Sequence, residues 1–239
     1  MKIEIIPCLK DNYSYIIIDL KNKNTCVVDP SESKPIINFL EKNNLQLNYI
    51  LNTHHHYDHV GGNAELKKRY KAKIVGFEGD CERIPEIDIM LKDGEIWKQD
   101  NFEAKVIHIP GHTLGHICFY FYNDKSIFTG DTLFSLGCGR IFEGTYSQMY
   151  ESLKKLKELP HDTKIFCGHE YTMQNSRFCL AHDQNNKNLK NKIINIKKKL
   201  QEKLPTIPST IKEELECNIF LRSDNVKTFS KLRDLKDNF

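Results

Sequence analysis

The sequence predicts a mixed α/β domain followed by a smaller helical domain. Strand-length apolar runs rich in Ile, Val, Phe and Tyr occupy the first two-thirds of the chain. Helical segments separate some of these runs without the strict alternation of βαβ units, which favours mixed sheets covered by helices. After about residue 171 the strand-like runs stop and apolar residues recur at helical spacing. We therefore expect one domain at residues 1–170 and a helical domain at residues 171–239.

The predicted strands end at turn-forming residues and follow one another along the first domain. They are residues 2–6, 14–19, 25–29, 48–52, 73–77, 104–109, 116–122, 126–129 and 164–167. Helices are predicted from Pro35, which fits a first helical turn, from near Asn63, and over residues 147–159, ending before Pro160.

The predicted helical domain contains a strongly amphipathic segment. Its apolar positions recur every three or four residues, at Leu189, Ile193, Ile196, Leu200 and Leu204. The opposite face is rich in lysine, which we interpret as a solvated helix face rather than a surface for nucleic acid or membrane. Thr210 and Glu213 then fit a capping box that opens a further helix.

Composition and charge exclude several classes of protein. The 239 residues are 39% hydrophobic, too apolar for a disordered chain, and 35 basic residues against 32 acidic ones leave a net charge of only +3. No apolar run reaches the roughly 20 residues that cross a bilayer, and the first residues do not resemble a secretory signal. We expect a cytoplasmic monomer without nucleic-acid or membrane partners.

The eight cysteines are interpreted as reduced packing residues. They form no C-x-x-C pair, and several, such as Cys118 and Cys167, lie inside apolar runs. A chain of this length does not need disulfides for stability, so the cysteines fit a reducing cytosol.

One segment concentrates the residue types that bind divalent metals. Residues 53–62 read THHHYDHVGG, with four imidazoles and one carboxylate directly after an apolar strand. Alternation in an extended segment directs His54, His56 and Asp58 to one side and His55 to the other. The last histidine, after the turn, can then serve a neighbouring site. A histidine run at the surface would not need the interposed aspartate or the Gly-Gly pair.

Three further residues of ligand type follow strand ends in a similar way. They are His112, Asp131 and His169, and each comes directly after a glycine that ends an apolar run. Polar side chains at strand ends are common positions for functional sites on rigid sheets. With the first segment, but without His55, they supply five histidines and two aspartates, which suits two metal ions. Asp131 is the natural shared ligand, because a carboxylate has two oxygens.

These motifs resemble those of the metallo-β-lactamase superfamily and, within it, those of glyoxalase II, the hydroxyacylglutathione hydrolases. The likeness covers essentially the whole chain. It includes residues 53–59 (THHHYDH), 110–116 (PGHTLGH), 129–134 (TGDTLF), 137–140 (GCGR), 142–145 (FEGT), 167–171 (CGHEY) and 233–239 (RDLKDNF). The metal motif indicates the superfamily, and the last motif together with the helical tail selects the family.

The resemblance implies an αββα sandwich of two mixed β-sheets flanked by helices. Residues 1–170 would be its catalytic domain and residues 171–239 a helical, substrate-binding domain. The likeness places one metal on His54, His56 and His112 and a second on Asp58, His59 and His169, with Asp131 bridging. Two divalent ions per chain are expected, zinc first, with iron or manganese as alternatives.

The resemblance also implies hydrolysis of S-D-lactoylglutathione and related S-2-hydroxyacylglutathiones to the 2-hydroxy acid and glutathione. This reaction is the second step of methylglyoxal detoxification. Zinc lowers the pKa of bound water to about 7, and Asp58 is the expected proton acceptor and orienting group for the hydroxide shared by the metals. Because the thiolate of glutathione is a good leaving group, no protein nucleophile is expected.

Glutathione recognition is expected, by the same likeness, on five residues: Arg140, Phe142, Tyr171, Arg233 and Lys236. The family often has lysine and tyrosine at the first two positions. Arginine keeps the positive charge and can bind a carboxylate through two hydrogen bonds, whereas phenylalanine cannot donate a hydrogen bond.

Asp29 could cap a turn, but we favour a role in holding the second nitrogen of a ligand histidine, because the family resemblance includes this aspartate.

The motifs leave alternative functions to be tested. A lactonase or a β-lactamase of the same fold uses similar ligands, but β-lactamases lack the helical tail. A persulfide dioxygenase also uses glutathione, yet it binds a single iron, which a set of seven ligands disfavours. A nucleic-acid phosphodiesterase does not fit the net charge of +3, and a non-catalytic binding module would be expected to have lost ligands.

Overall fold

The structure, a computed structural model, describes all 239 residues. They group into two compact units. The first unit comprises residues Met1–His108 and Gly115–Asp124, and the second comprises residues Ile109–Leu114 and Lys125–Phe239. This grouping reflects spatial proximity alone, so the division into domains at residue 170 stays a prediction. No helix has the combination of length and apolar sequence needed to cross a bilayer.

A six-stranded mixed sheet forms most of the first unit. Its strands lie in chain order: β1 (Lys2–Cys8), β2 (Asn12–Ile18), β3 (Thr25–Val28), β4 (Tyr49–Leu51), β5 (Lys73–Phe77) and β6 (Ile89–Leu91). The first three strands pair antiparallel, and the pairs from β3 to β6 are parallel. Every residue of β2 and β3 is buried, in keeping with their nearly continuous apolar sequence.

Helices pack on this sheet and complete its core. They are α1 (Ser33–Lys42), the short α2 (Tyr57–Val60) and α3 (Asn63–Tyr70). Ile36 and Leu40 of α1 and Leu66 of α3 are fully buried in one cluster with apolar side chains of the strands. The histidine-rich segment between β4 and α2 therefore begins at a strand whose position the core fixes.

The remaining strands of the first unit form an antiparallel meander. They are β7 (Ile96–Gln99), β8 (Phe102–His108) and β9 (Ile117–Phe121). Trp97 of β7 stacks on Phe102 of β8, with ring centroids 6.3 Å apart. At the start of β9, the Ile117 N–H donates to the carbonyl of Thr53 (2.9 Å), which fixes the residue that precedes the histidine run.

The second unit contains five strands and five helices. Strands β10 (Ser126–Gly130) and β13 (Lys164–Cys167) are parallel, β14 (Ser209–Thr210) pairs antiparallel with β13, and β11 (Leu133–Phe134) forms a hairpin with β12 (Gly137–Cys138). Its helices are α4 (Tyr146–Lys157), α5 (Thr172–His182), α6 (Lys187–Gln201), α7 (Ile211–Cys217) and α8 (Val226–Asp237). Because Gly130 pairs with Cys167, the residues that follow β10 and β13 leave the same sheet edge.

The nine predicted strands are confirmed to within two residues at each end, and those at residues 73–77 and 164–167 match in full. The capping box of Thr210 and Glu213 is also present. The sequence does not predict β6, β7, β11, β12 or β14, since each has at most four residues and depends on its neighbours for pairing. It does not predict α5 either, because the buried face of this helix is largely polar, with Thr172, Asn175 and Ser176 buried.

The start of α4 provides a test of local stability. The Thr145 hydroxyl accepts a hydrogen bond from the Gln148 N–H (3.1 Å), one of the N–H groups that a helix leaves unbonded. We expect Thr145→Ala to lower the free energy of unfolding by about 1 kcal/mol. Urea unfolding at a fixed metal concentration measures the change. Ser147→Ala, at an exposed position of the same helix, is the control and should change stability by less than about 0.5 kcal/mol; equal losses in both variants would contradict the prediction.

Candidate active site

The histidine-rich segment bends at residues 53 and 54, and helix α2 begins at Tyr57. The expectation of an extended segment is therefore wrong, and Asp58 lies on a helical turn. The chain can turn here because Gly61 and Gly62 pack closely on the loop after β3. A Cβ on Gly61 would lie 2.5 Å from the carbonyl oxygen of Ser31, and one on Gly62 would lie 2.9 Å from that of Pro30.

Asp29 contacts two residues of this segment, Thr53 and His59, and its expected role toward a metal-binding histidine stays a prediction. It is 2% exposed and lies just after β3 with a φ of 47°, in the left-handed region. Its carboxylate accepts hydrogen bonds from the Thr53 N–H (2.8 Å) and the Thr53 hydroxyl (2.6 Å), and it contacts His59 Nδ1 at 3.1 Å. His55 instead contacts Asp80 Oδ2 at 3.1 Å through its Nδ1.

These contacts decide which nitrogen of each imidazole carries the proton. The Thr53 hydroxyl gives its hydrogen to Asp29, so its oxygen accepts from Nδ1–H of His54 (3.0 Å). His59 likewise donates from Nδ1 to Asp29, which leaves Nε2 as the acceptor nitrogen of the neutral ring. That nitrogen lies 3.6 Å from Asp58 Oδ2. Two acceptor atoms facing one another at this distance suit a cation between them.

Asn12 orients Asp58 and is a functional residue that sequence reasoning missed. Its Nδ2 donates to Asp58 Oδ2 (2.9 Å) and to the Asp58 carbonyl (3.1 Å), and the residue is 5% exposed. The signal in the sequence is weak: a lone amide at the start of the apolar strand β2. Burial of that amide requires hydrogen-bond partners, and Asp58 supplies them.

In the second unit, His112, Asp131 and His169 lie together and are at most 7% exposed. Asp131 Oδ2 lies 3.2 Å from His169 Nε2 and 3.6 Å from His112 Nε2. Nδ1 of His112 donates to the carbonyl of Arg140 (2.7 Å), so Nε2 is again the acceptor nitrogen. The imidazole of His169 stacks on the ring of Tyr171 at 4.6 Å. Nε2 of His112 and the Asp131 carboxylate thus face each other as Nε2 of His59 and Asp58 do in the first unit.

The five residues expected to bind substrate all line one cavity of the second unit. The cavity has a volume of about 290 Å³, and it is also lined by His112 and Asp131. Its wall contains the residues Arg140, Phe142, Tyr171, Arg233 and Lys236. The phenyl ring of Phe142 is largely exposed and lies 5.2 Å from the His112 ring, so this residue provides an apolar edge.

Two cationic side chains of this cavity, Arg140 and Arg233, share one carboxylate, that of Asp237. Asp237 Oδ1 accepts from Arg140 Nε (3.2 Å) and from Arg233 Nη2 (2.8 Å). Arg233 is 5% exposed and also donates from Nη1 to the carbonyl of Cys138 (2.8 Å). Arg233 is therefore a buried, hydrogen-bonded residue of the last helix.

Two donors in the same wall have no hydrogen-bond partner. They are Nε of Arg233 and Nζ of Lys236, both buried. The Lys236 ammonium lies 5.2 Å from the ring of Phe178 and 5.5 Å from that of Phe239. Burial, and then the nearby Arg233, lower the pKa of Lys236. An arriving carboxylate would satisfy both donors and restore the charged form of the lysine.

The cysteines near these residues are unsuited to act as nucleophiles. All eight thiols are free, and seven of them are buried, with only Cys81 half-exposed. Burial raises the pKa of Cys167 and of Cys179 to about 12, and it also raises the pKa of Cys138. At neutral pH these thiols are protonated, and the thiolate is the reactive form.

Comparisons with known proteins agree with this geometry. Residues 10–169 match the family described as Metallo-beta-lactamase superfamily, and residues 170–239 match Hydroxyacylglutathione hydrolase C-terminus. A hydroxyacylglutathione hydrolase of Pelagibacter ubique (strain HTCC1062) is 70% identical over 239 residues, which is 100% of both chains.

Solved structures share the fold. ETHE1 from Myxococcus xanthus has a TM-score of 0.74 at 22% identity and covers 98% of this chain and 90% of its own. TTHA1623 in a di-iron-bound form has a TM-score of 0.58 at 25% identity, with 71% of this chain and 92% of its own covered. These likenesses and the family matches confirm the predicted αββα class.

The raised pKa values predict how the thiols react. At pH 8, a thiol reagent should modify Cys81 first, while the buried thiols react only on unfolding, because burial excludes the reagent and raises the pKa of Cys138, Cys167 and Cys179. Cys138→Ala should keep a kcat close to that of the unsubstituted protein. Mass spectrometry of the alkylated protein and steady-state kinetics measure both effects. Rapid modification of Cys138 or Cys167, with loss of activity, would show that a thiol takes part in the reaction.

Proposed function

Because this chain belongs to the metallo-beta-lactamase superfamily and, within it, to the hydroxyacylglutathione hydrolases, we propose that it hydrolyses S-D-lactoylglutathione and related S-2-hydroxyacylglutathiones. The thioester C–S bond breaks and a C–O bond to water forms. The products are a 2-hydroxy acid, D-lactate in the first case, and glutathione. Such a reaction completes the detoxification of methylglyoxal as its glutathione adduct.

The main observation in support of this function is a single cavity lined both by ligand-type residues and by positively charged side chains. His112 and Asp131 share it with Arg140, Arg233 and Lys236. Glutathione carries two carboxylates and one ammonium group, so its net negative charge favours this lining. A simple lactone, which lacks those carboxylates, would leave the buried donors of Arg233 and Lys236 without partners.

The chain is a metal-dependent hydrolase, and the chemistry of its donor atoms fits divalent ions. We propose two ions per chain, on the following ligands: His54, His56 and His112 for one, Asp58, His59 and His169 for the other, and Asp131 for both. Zinc is the metal we propose, with iron or manganese as alternatives. When bound, such ions lower the pKa of water to about 7 and so supply the nucleophile at neutral pH.

The residues around these ligands are proposed to position the reacting groups. Asn12 directs the Asp58 carboxylate, which accepts the proton of the attacking water. Asp29 fixes the tautomer of His59, and the Arg140 carbonyl fixes that of His112. Arg140, Arg233 and Lys236 bind a carboxylate of glutathione. The glutathione thiolate leaves without a protein acid, since its conjugate thiol has a pKa of about 8.5.

We also propose a cytoplasmic monomer without nucleic-acid or membrane partners. The support is the near balance of charge, at +3, and the set of eight free cysteines. Size-exclusion chromatography with light scattering measures the oligomeric state.

Metal removal and a substrate panel test the function together. We expect two metal equivalents per chain by elemental analysis, and loss of activity after treatment with a chelator, because no protein nucleophile replaces the activated water. Readdition of zinc should restore the hydrolysis of S-D-lactoylglutathione. A lactone, a β-lactam and glutathione persulfide serve as alternative substrates. Turnover of the persulfide alone, with oxygen uptake and a single iron, would overturn the proposal.

Lys236 tests the substrate-binding cavity. We expect Lys236→Met to raise KM about tenfold with little change in kcat, because a charge-assisted hydrogen bond of about 1.5–3 kcal/mol is lost. Since the binding form is the ammonium and its pKa is lowered, KM should also rise with pH earlier than for an ordinary lysine, and the variant should lack this rise. Lys231→Met, an exposed lysine of the same helix, is the matched control. An unchanged KM would remove Lys236 from the binding site.

A further inference from the structure

The hairpin of β11 and β12 is held by side chains from the helices of the C-terminal region. Asn218 Nδ2 donates to the carbonyls of Gly137 (3.1 Å) and Phe134 (3.4 Å), and Asn175 Nδ2 donates to the carbonyl of Ser135 (3.2 Å). A two-residue hairpin has few contacts of its own, so its position depends on these partners.

Glu214 of α7 is the central partner of the hairpin. It is fully buried, and its Oε2 accepts from the Leu136 N–H at the tip of the turn (2.7 Å) and from Asn218 (3.0 Å). Leu136 has a φ of 60°, a strained value for a bulky residue, so its backbone needs such an external contact. Ser135 also donates to Glu214, at 3.4 Å.

Lys192 of α6 neutralises this buried carboxylate. Its Nζ lies 2.7 Å from Glu214 Oε1 and 2.6 Å from Ser209 Oγ, and its side chain is 12% exposed. Desolvating a carboxylate and an ammonium costs several kcal/mol for each ion, so a buried pair does not by itself indicate a gain in stability. What the pair does provide is a defined position for the hairpin tip.

The hairpin leads along the chain to Arg140, whose carbonyl contacts the ligand-type residue His112. After β12 the chain passes Gly139, whose N–H donates to the Thr132 carbonyl (3.2 Å), and a Cβ there would lie 1.8 Å from the Asp131 carbonyl oxygen. The next carbonyl, that of Arg140, accepts from Nδ1 of His112 (2.7 Å). The position of the hairpin therefore decides where the group that orients His112 lies.

We propose that Glu214, with Lys192 as its counter-ion, is a positioning residue for metal binding. The pair holds the hairpin tip, the hairpin places the Arg140 carbonyl, and that carbonyl fixes the tautomer and the direction of His112. The helices of the C-terminal region would thus contribute to metal affinity as well as to substrate binding. This inference rests on the proposed function, because it takes His112 and Asp131 as metal ligands.

Glu214→Gln is the principal test. A glutamine has one acceptor oxygen where the carboxylate has two, so it cannot serve both the Leu136 N–H and Lys192. We expect zinc affinity, measured by competition with a chromophoric chelator, to fall about tenfold, as for other groups that orient ligand histidines. Glu213→Gln is the matched control: it lies in the same helix, 3.7 Å from Lys192, but has no contact with the hairpin, and it should bind zinc like the unsubstituted protein.

Two lysine variants separate positioning from simple stability. Lys192→Arg keeps the cation and should retain the zinc affinity, whereas Lys192→Met should lower it. If Glu214→Gln does not fold, Asn218→Ala replaces it, since that change removes two hairpin bonds and leaves the ion pair intact.

The outcomes distinguish this inference from the proposed function. Weaker zinc binding by folded Glu214→Gln, with Glu213→Gln unchanged, supports the inference. Equal zinc affinity in Glu214→Gln and the unsubstituted protein overturns it, even if the metal-free variant unfolds more easily and the thioester is still hydrolysed. Failure of the unsubstituted protein to bind zinc overturns both.

Discussion

The arrangement of the site depends on where each buried imidazole keeps its proton. A neutral histidine has one donor and one acceptor nitrogen, and burial obliges the donor to find a partner. In the first unit, Asp29 accepts a hydrogen bond from Nδ1 of His59. The Thr53 hydroxyl, which itself donates to Asp29, accepts one from Nδ1 of His54. The Arg140 carbonyl does the same for His112 in the second. In a neutral ring each of these contacts leaves Nε2 as the acceptor nitrogen, which is the tautomer that the proposed metal binding requires.

Side chains of the C-terminal region both line the cavity and hold the hairpin of β11 and β12. Arg233 and Lys236 line the cavity that we propose binds substrate, and Arg233 also donates to the carbonyl of Cys138 in the hairpin. Asn218 and Glu214 contact the same hairpin from another helix. Because these side chains are buried, we expect the hydrogen bonds that they make to the hairpin to depend on one another. The proposed substrate site and the proposed metal ligands His112 and Asp131 therefore depend on the same hairpin within the second unit.

Some expectations from the sequence required correction, and the reasons are physical. The segment after β4 was expected to be extended because alternation places three ligand-type residues on one side, but Gly61 and Gly62 allow close packing on the loop after β3 and a helical turn begins at Tyr57. Short strands such as β11 and β14 have too few residues to show a pattern.

The sequence alone determined the long strands, the amphipathic helix α6, the capping box at Thr210 and the residue types of the site, because these follow from local periodicity and from side-chain chemistry. Apart from Asp29, which the family resemblance already suggested, only the tertiary structure decided which polar groups orient the proposed ligand residues. Asn12 lies 46 positions from Asp58, and Glu214 lies 78 positions from Leu136. Such pairs leave no periodic trace in a single sequence, since the burial that obliges them to meet arises only when distant strands and helices pack together.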